Sequence, residues 1–278
     1  MVVGVTGTSG FLGKALSKAL EKSSIEFVPI QFPKTNEVFD KVFLENLVSN
    51  LKVEAVFHLA AVRNPRNRYE FDVNARLPVL FANALKRNHP NIRFIHLSSL
   101  NTVLSQRNDS YSVSKRQAEK SLEDTGAIII RPGIIWSWQA NAEGDAGRLR
   151  NFLERSLPFH PIPFPGQLYK PLLVEKLAPR IVQLIAEQNP PSIIEALGDR
   201  SATIWELAKC TAKNTKARLL PVPTSFLEKL LPSALLRLLP TALRSMDAST
   251  PDKNNGRPAD EVWELPFCLP TDEIDRSP

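Results

Sequence analysis

Residues 2–20 read VVGVTGTSGFLGKALSKAL. The first five residues of the chain, MVVGV, form a short apolar run that predicts a buried strand. Leu12, Ala15, Leu16, Ala19 and Leu20 then recur at helical spacing. Between the two lie Gly7, Gly10 and Gly13, a G-x-x-G-x-x-G loop at a strand-to-helix junction. Such a loop turns tightly, brings backbone N–H groups against a pyrophosphate and lets the helix pack close to the strand. The helix N-terminus adds its partial positive charge toward the anion. Gly7, Thr8, Ser9, Gly10, Phe11, Leu12 and Gly13 are therefore candidate dinucleotide contacts.

About 20 residues further on, a protein that binds NAD usually places Asp or Glu on the ribose 2′-hydroxyl. The equivalent place here, in PIQFPK, is Gln31. Without that carboxylate a 2′-phosphate is not repelled, and Lys34 stands near enough in sequence to attract one. The reading is NADP or NAD, with NADP slightly favoured. The open alternative is a Gln31 that simply hydrogen-bonds the ribose, with little selectivity.

Working outward, strand and helix alternate through the first half. Strands are expected at 26–30, 36–40, 54–61, 92–99 and 127–135, and helices at 43–51, 72–88 and 111–126. Pro78 limits or kinks the second of these helices, and Gly126 ends the third. Several strands are continuous apolar runs, the signature of a parallel sheet covered on both faces. The fold class is α/β, a Rossmann-type doubly wound parallel sheet with a smaller C-terminal substrate-binding part. The dinucleotide-binding domain spans 1–140, with 172–200 returning to it. Beyond about 140 proline becomes dense, with helices expected near 147–156, 174–188 and 203–213 and a strand at 192–197. The substrate-binding part takes 141–171 and 201–250, and 251–278 reads as a polar tail, partly disordered.

At 278 residues the chain can bury a sizeable core, and 43% hydrophobic with 23% charged residues fits a soluble globular protein. No apolar run reaches the roughly 20 residues of a membrane span, and no basic segment precedes the first apolar residues as in a signal peptide. A cytoplasmic protein is expected. Cys210 and Cys268 lack metal-ligand spacing and read as free thiols, and no metal site is expected. The formal charge of +6 is scattered and carries no nucleic-acid signature, so no nucleic-acid partner is expected. The leucine-rich stretch 225–246, with Lys229, Arg237 and Arg244, leaves association with a membrane surface as an option that is not favoured over packing in the substrate part. A homodimer is allowed but not required.

Residues 109–120 read DSYSVSKRQAEK, with Tyr111 and Lys115 one helical turn apart. Together with the glycine loop, VFHLAA (56–61), VNA (73–75), HLSS (96–99) and RPG (131–133), this order of motifs resembles the extended short-chain dehydrogenase/reductase family, in its nucleotide-sugar epimerase, dehydratase and reductase branch. The resemblance is strong over 1–135 and weaker beyond. It implies that Tyr111 is the acid/base and that Lys115 lowers the tyrosine pKa and holds the nicotinamide ribose. Ser99 would hydrogen-bond the reacting oxygen, with hydride passing to or from nicotinamide. A tyrosine titrating near pH 10 needs such a neighbouring cation to act near neutrality. The resemblance also places Leu59, Ala60, Ala61, Arg63, Asn74 and Pro132 beside the cofactor, and more loosely Asp40.

Each assignment has a plainer counterpart. Ser98 and Ser99 would merely end a strand, Asn74 would cap a helix, and Arg63 would be solvated. His58 and His96 read as core histidines and Glu119 as helix surface paired with nearby basic groups. The chain also departs from the family. Ser99 and Tyr111 are only twelve residues apart, Tyr169 and Lys170 stand where an Arg-Asp pair is usual, and IWSW (135–138) replaces a V-Y-G segment. The expected substrate is a small molecule, a nucleotide-linked sugar. Epimerase, dehydratase and reductase remain open, beside a cofactor-binding scaffold or regulatory protein and a reductase of a non-sugar carbonyl.

Overall fold

Val3, Val5 and Thr6 carry no exposed surface in the first strand, β1 (Val2–Thr6). A strand buried on both faces needs cover on both. In the computed structural model, which describes residues 1–104, 107–139, 143–166, 168–213, 215–223 and 257–270, the following elements supply it. α1 (Phe11–Lys22) buries Leu12, Leu16, Ala19 and Leu20, one stripe of a 3.6-residue period. There follow β2 (Glu26–Ile30), α2 (Lys41–Ser49), β3 (Ala55–His58), α3 (Arg68–Ala75), α4 (Leu77–Asn88), β4 (Arg93–Leu97), α5 (Ser110–Leu122) and β5 (Ile128–Pro132). Next come β6 (Ile135–Trp136), α6 (Gly144–Leu153), β7 (His160–Phe164), β8 (Leu168–Tyr169), β9 (Leu172–Leu173), α7 (Val174–Gln183) and β10 (Ile193–Gly198). β11 (Ala202–Thr203), α8 (Ile204–Ala212), β12 (Leu219–Pro223) and β13 (Glu261–Leu265) complete the described elements.

The chain divides into two compact units. The first comprises 1–132, 175–196 and 252–263, the second 133–174, 197–251 and 264–278. A seven-stranded sheet runs in the order β13-β10-β5-β4-β3-β1-β2. β1 pairs in parallel with both β2 and β3, Thr6 standing beside Ile30 on one side and His58 on the other. β3, β4, β5 and β10 add on in parallel, with His58 beside His96 and Leu97 beside Ile130. The direction of strand succession therefore reverses at β1. In an open parallel sheet the crevice beyond the carboxyl ends of the strands at such a switch point is where ligands bind. The Gly7–Gly10 loop, the Leu59–Arg63 segment and Ser98–Ser99 all leave carboxyl ends of these strands.

Four elements differ from the sequence reading. Asn36–Phe39, expected as a strand, is a 3-10 turn. Only Val38 of it is buried, and Asp40 starts α2 at once by accepting the Phe43 N–H at 2.9 Å. The single helix expected at 72–88 is two, α3 and α4, because Pro78 sits in the first turn of the second, where its missing N–H costs nothing. The expected run 127–135 is interrupted after Pro132 and resumes as β6. The C-terminal part read as a polar tail includes a strand, β13, which extends the sheet beside β10. There Asp260 N–H meets the Ile193 carbonyl at 2.9 Å and the Asp260 carboxylate takes the Ile193 N–H at 2.9 Å.

The second unit has its own core, in which Trp136, Leu149, Phe152, Ile162, Leu207 and Phe267 are buried. Its strands pair in twos: β7 with β12 and β6 with β9 in parallel, β8 with β11 antiparallel. α8 opens on a full capping box between Thr203 and Glu206, a motif contributing about 1 kcal/mol. Among the described residues no helix is long and apolar enough to cross a membrane. The leucine-rich stretch 225–246 lies outside the described residues.

Candidate active site

The glycine loop is shaped by two close approaches. Gly7 has φ +72°, in the left-handed region, and a Cβ there would stand 2.8 Å from the Ala60 nitrogen. At Gly13 a Cβ would stand 2.1 Å from the Gly7 carbonyl oxygen. Gly7 thus lets the loop lie against the segment after β3, and Gly13 lets α1 lie against the loop. Gly10 is the N-cap of α1, with no side-chain cap and no acid in the first turn, so the helix dipole and free amides are left to an external anion. Thr8 and Phe11 are half-buried and Ser9 is exposed, whereas the Leu12 side chain belongs to the core.

Residues 59–63 are held from beneath by two buried side chains. Thr6 Oγ1 accepts the N–H groups of Leu59 at 3.0 Å and Ala60 at 3.1 Å. It also contacts His58 Nδ1 at 3.1 Å. With its lone pairs taken, the Thr6 hydroxyl donates its proton to Nδ1, which puts the His58 proton on Nε2. Burial first, and the charge of Lys115 second, push the His58 pKa down to about 3, so the ring is neutral. It stacks on His96, whose pKa burial likewise drives well below the usual value.

Asn74 is fully buried within α3 and caps no helix. Its amide donates to the Val62 carbonyl at 2.8 Å and to Ser114 Oγ at 3.2 Å, and its oxygen accepts the Val62 N–H at 2.8 Å. Both donors are taken within the protein, so Asn74 braces α3, the 59–63 segment and α5. Leu59 and Ala60 remain half-buried, Ala61 and Arg63 exposed. Gln31 is exposed just beyond β2, and Lys34 is exposed three residues later. Asp40 is exposed, one carboxylate oxygen capping α2. Pro132 is buried at the end of β5.

α5 starts where Asp109 accepts the Ser112 N–H at 3.0 Å and the Ser112 hydroxyl at 2.8 Å. That cap places Tyr111 in the first turn, half-buried, with its carbonyl taking the Ser114 hydroxyl at 2.8 Å. Lys115, 1% exposed, donates from Nζ to the Leu97 carbonyl at 2.7 Å. Burial brings its pKa down to about 8, against an upward pull from Glu119. Two residues beyond Leu97, Ser99 is half-buried and opens a short 3-10 turn, accepting the Asn101 N–H at 3.3 Å. The short link from Ser99 to Tyr111 is gripped by Arg116, which donates to the carbonyls of Thr102 at 2.8 Å and Arg107 at 2.9 Å.

Glu119, read from the sequence as helix surface, is 5% exposed. The reason is its partner, Arg131 on β5, 1% exposed, whose Nη2 lies 2.6 Å from Glu119 Oε2. Ser98 donates to Glu119 as well, so the two adjacent serines serve different partners. Thr102 adds a contact at 3.0 Å. An arginine inside the apolar run AIIIRPGII was the available signal, since a buried guanidinium requires a buried acid.

Residues 3–128 match the model of the NAD dependent epimerase/dehydratase family. The matched stretch contains the glycine loop, Ser99, Tyr111 and Lys115. No curated protein matches the chain. Among solved structures the fold is similar to dTDP-4-dehydrorhamnose reductase from Yersinia enterocolitica (15% identity, TM-score 0.68, covering 100% of this chain and 93% of that one). It is also similar to the reductase of that name from Bacillus anthracis in complex with NADP (18%, 0.67, 88% and 98%). A third is UDP-glucose 4-epimerase from Thermus thermophilus in complex with NAD (18%, 0.63, 80% and 86%).

Proposed function

We propose that the protein is an NAD(P)-dependent oxidoreductase or epimerase acting on a nucleotide-linked sugar. The observation that carries the reading is the buried Lys115 ammonium on the Leu97 carbonyl, one helical turn from Tyr111 and two residues from Ser99 at a strand end. A buried cation there costs folding free energy, and lowering a tyrosine pKa offsets that cost in function. The fold neighbours named for sugar-nucleotide reduction and epimerisation support the substrate class.

The residues present fit a dinucleotide. The uncapped α1 N-terminus and the hydrogen-only approaches at Gly7 and Gly13 would receive its pyrophosphate. Leu59, Ala60 and Ala61 would border its nucleoside, and Lys34 beyond Gln31 would favour a 2′-phosphate. When bound, the nicotinamide supplies or accepts the hydride.

The protein's own groups manage the proton. Tyr111 gives its phenolic proton to the substrate oxygen in reduction, or takes one in oxidation. Lys115, kept cationic, stabilises the phenolate left behind. Ser99 donates a hydrogen bond to the same oxygen. Asn74 and Thr6 act through the backbone, fixing the floor that orients the cofactor. The test is turnover of dTDP-4-dehydrorhamnose with NADPH or NADH, and of UDP-glucose with NAD or NADP, for wild type and Tyr111→Phe. Turnover unchanged by the substitution contradicts the proton role.

A further inference from the structure

Tyr111, Lys115 and Glu119 follow one another at four-residue intervals, on one face of α5. The proposed chemistry uses the first two and assigns nothing to the third. Yet Glu119 is tied both to the turn that carries Ser99 and to Lys115. Its Oε1 accepts from Ser98 and lies 3.0 Å from the Thr102 hydroxyl, the residues that flank the turn holding Ser99. The Thr102 hydroxyl also reaches the Ser99 carbonyl at 2.8 Å, so carboxylate and turn are linked through one group.

The local charges make the second tie. Arg131 meets Glu119 through Nε and Nη2 and has Glu195 on β10 at 3.9 Å. Two buried carboxylates therefore face one guanidinium. The other buried cation on these elements is Lys115, whose positive charge Glu119 favours. The elements packed around Lys115 carry further charged or titratable groups. They include His58 on β3 and His96 on β4, both neutral, with Arg93 at the start of β4; Tyr69, Glu70 and Asp72 on α3, with Arg68 and Arg76 upon Asp72; Lys86 and Arg87 on α4; and Tyr111, Arg116 and Lys120 on α5 itself.

We propose that Glu119 is the positioning residue of this site: it holds the turn that carries Ser99 and sustains the positive charge on Lys115. The inference rests on the oxidoreductase reading for its meaning, but its test does not need turnover. A purely structural staple between α5 and β5 would leave the Lys115 titration unmoved by loss of charge at constant shape. Glu119→Gln keeps the shape and the acceptor oxygen and removes the charge.

The experiment labels lysine with ¹³C, assigns the Lys115 Cε resonance by its absence in Lys115→Met, and titrates the protein without cofactor. Glu119→Gln lowers the Lys115 midpoint by about one pH unit, in the direction expected when a neighbouring anion is removed. Should that variant not fold, Glu119→Asp draws the carboxylate back by one methylene and lowers the midpoint by a smaller amount. The double variant Ser98→Ala/Thr102→Val leaves the midpoint in place but speeds hydrogen exchange at the Asn101 and Thr102 amides by about tenfold or more, as local opening becomes easier. An unchanged midpoint in the Glu119 variant, or unchanged exchange in the double variant, overturns the corresponding half. A wild type that turns over no sugar nucleotide yet shows both effects would sink the oxidoreductase reading and leave the role of Glu119 standing.

Discussion

The ammonium of Lys115 lies 2.7 Å from the carbonyl oxygen of Leu97, with 1% of the residue exposed. A lone backbone carbonyl does not repay the desolvation of a full charge. Stability should therefore rise on replacing it by an apolar chain of similar length. Lys115→Met is expected to abolish turnover while leaving the denaturation midpoint equal to or above that of wild type. Urea melts beside activity assays check this, and a strongly destabilised variant would mean that the cation is structural.

The same burial sets a pH dependence. The folded-state pKa of Lys115, about 8, lies below its unfolded value of 10.5. Between these two the unfolded chain holds the proton that the folded one has lost. The Lys115 contribution to stability therefore increases as pH rises from about 8 toward 10.5 and is flat below about 8. Urea melts at pH 8 and pH 10 should show wild type gaining relative to Lys115→Met. Over the same range turnover should fall in wild type, because the charge that supports Tyr111 is titrated away.

Gly13→Ala places a methyl 2.1 Å from the Gly7 oxygen, a distance that real contacts do not allow. The loop or α1 must shift, and the pyrophosphate cradle with it. Dinucleotide affinity should drop by about a hundredfold or more, read by quenching of protein fluorescence with NADPH. The fold itself, braced by the Leu16 and Leu20 stripe, should persist by circular dichroism.

How far the sequence speaks is clearest from these residues. Gly7, Gly13, Tyr111 and Lys115 are legible because each sits in a short pattern with local geometry behind it. Glu119 is not, because KRQAEK has the polarity of a solvated helix face and its partner, Arg131, arrives only through the pairing of β4 with β5. The bracing role of Asn74 is hidden for a similar reason: the groups that meet its amide, Val62 and Ser114, come from two other segments. β13 is hidden because EVWEL alternates weakly, and a free sheet edge at β10 decides its place.

Asn74→Ala removes three hydrogen bonds and leaves the Val62 backbone groups without that partner. A loss of about 1–3 kcal/mol in unfolding free energy is expected, checked by urea denaturation, together with weaker dinucleotide binding. Asn74→Asp keeps the acceptor but loses the donors and should rescue neither. If either variant binds NADPH as wild type does, the floor of the site does not depend on this brace.

Lys34→Glu should weaken NADPH binding by about tenfold or more while sparing NADH, since an anion beside Gln31 repels the 2′-phosphate alone. Competition titrations of the two cofactors decide it, and equal effects on both would remove Lys34 from cofactor selection.

The central claim is that Tyr111 passes a proton while a nicotinamide carries hydride. It is tested most directly by following NADPH oxidation with dTDP-4-dehydrorhamnose, and UDP-glucose epimerisation with NAD, in wild type and Tyr111→Phe. The account predicts turnover of at least one sugar nucleotide by wild type and a loss of about a hundredfold or more in kcat in the variant, with dinucleotide affinity retained. Dinucleotide binding with equal turnover in both proteins would contradict it.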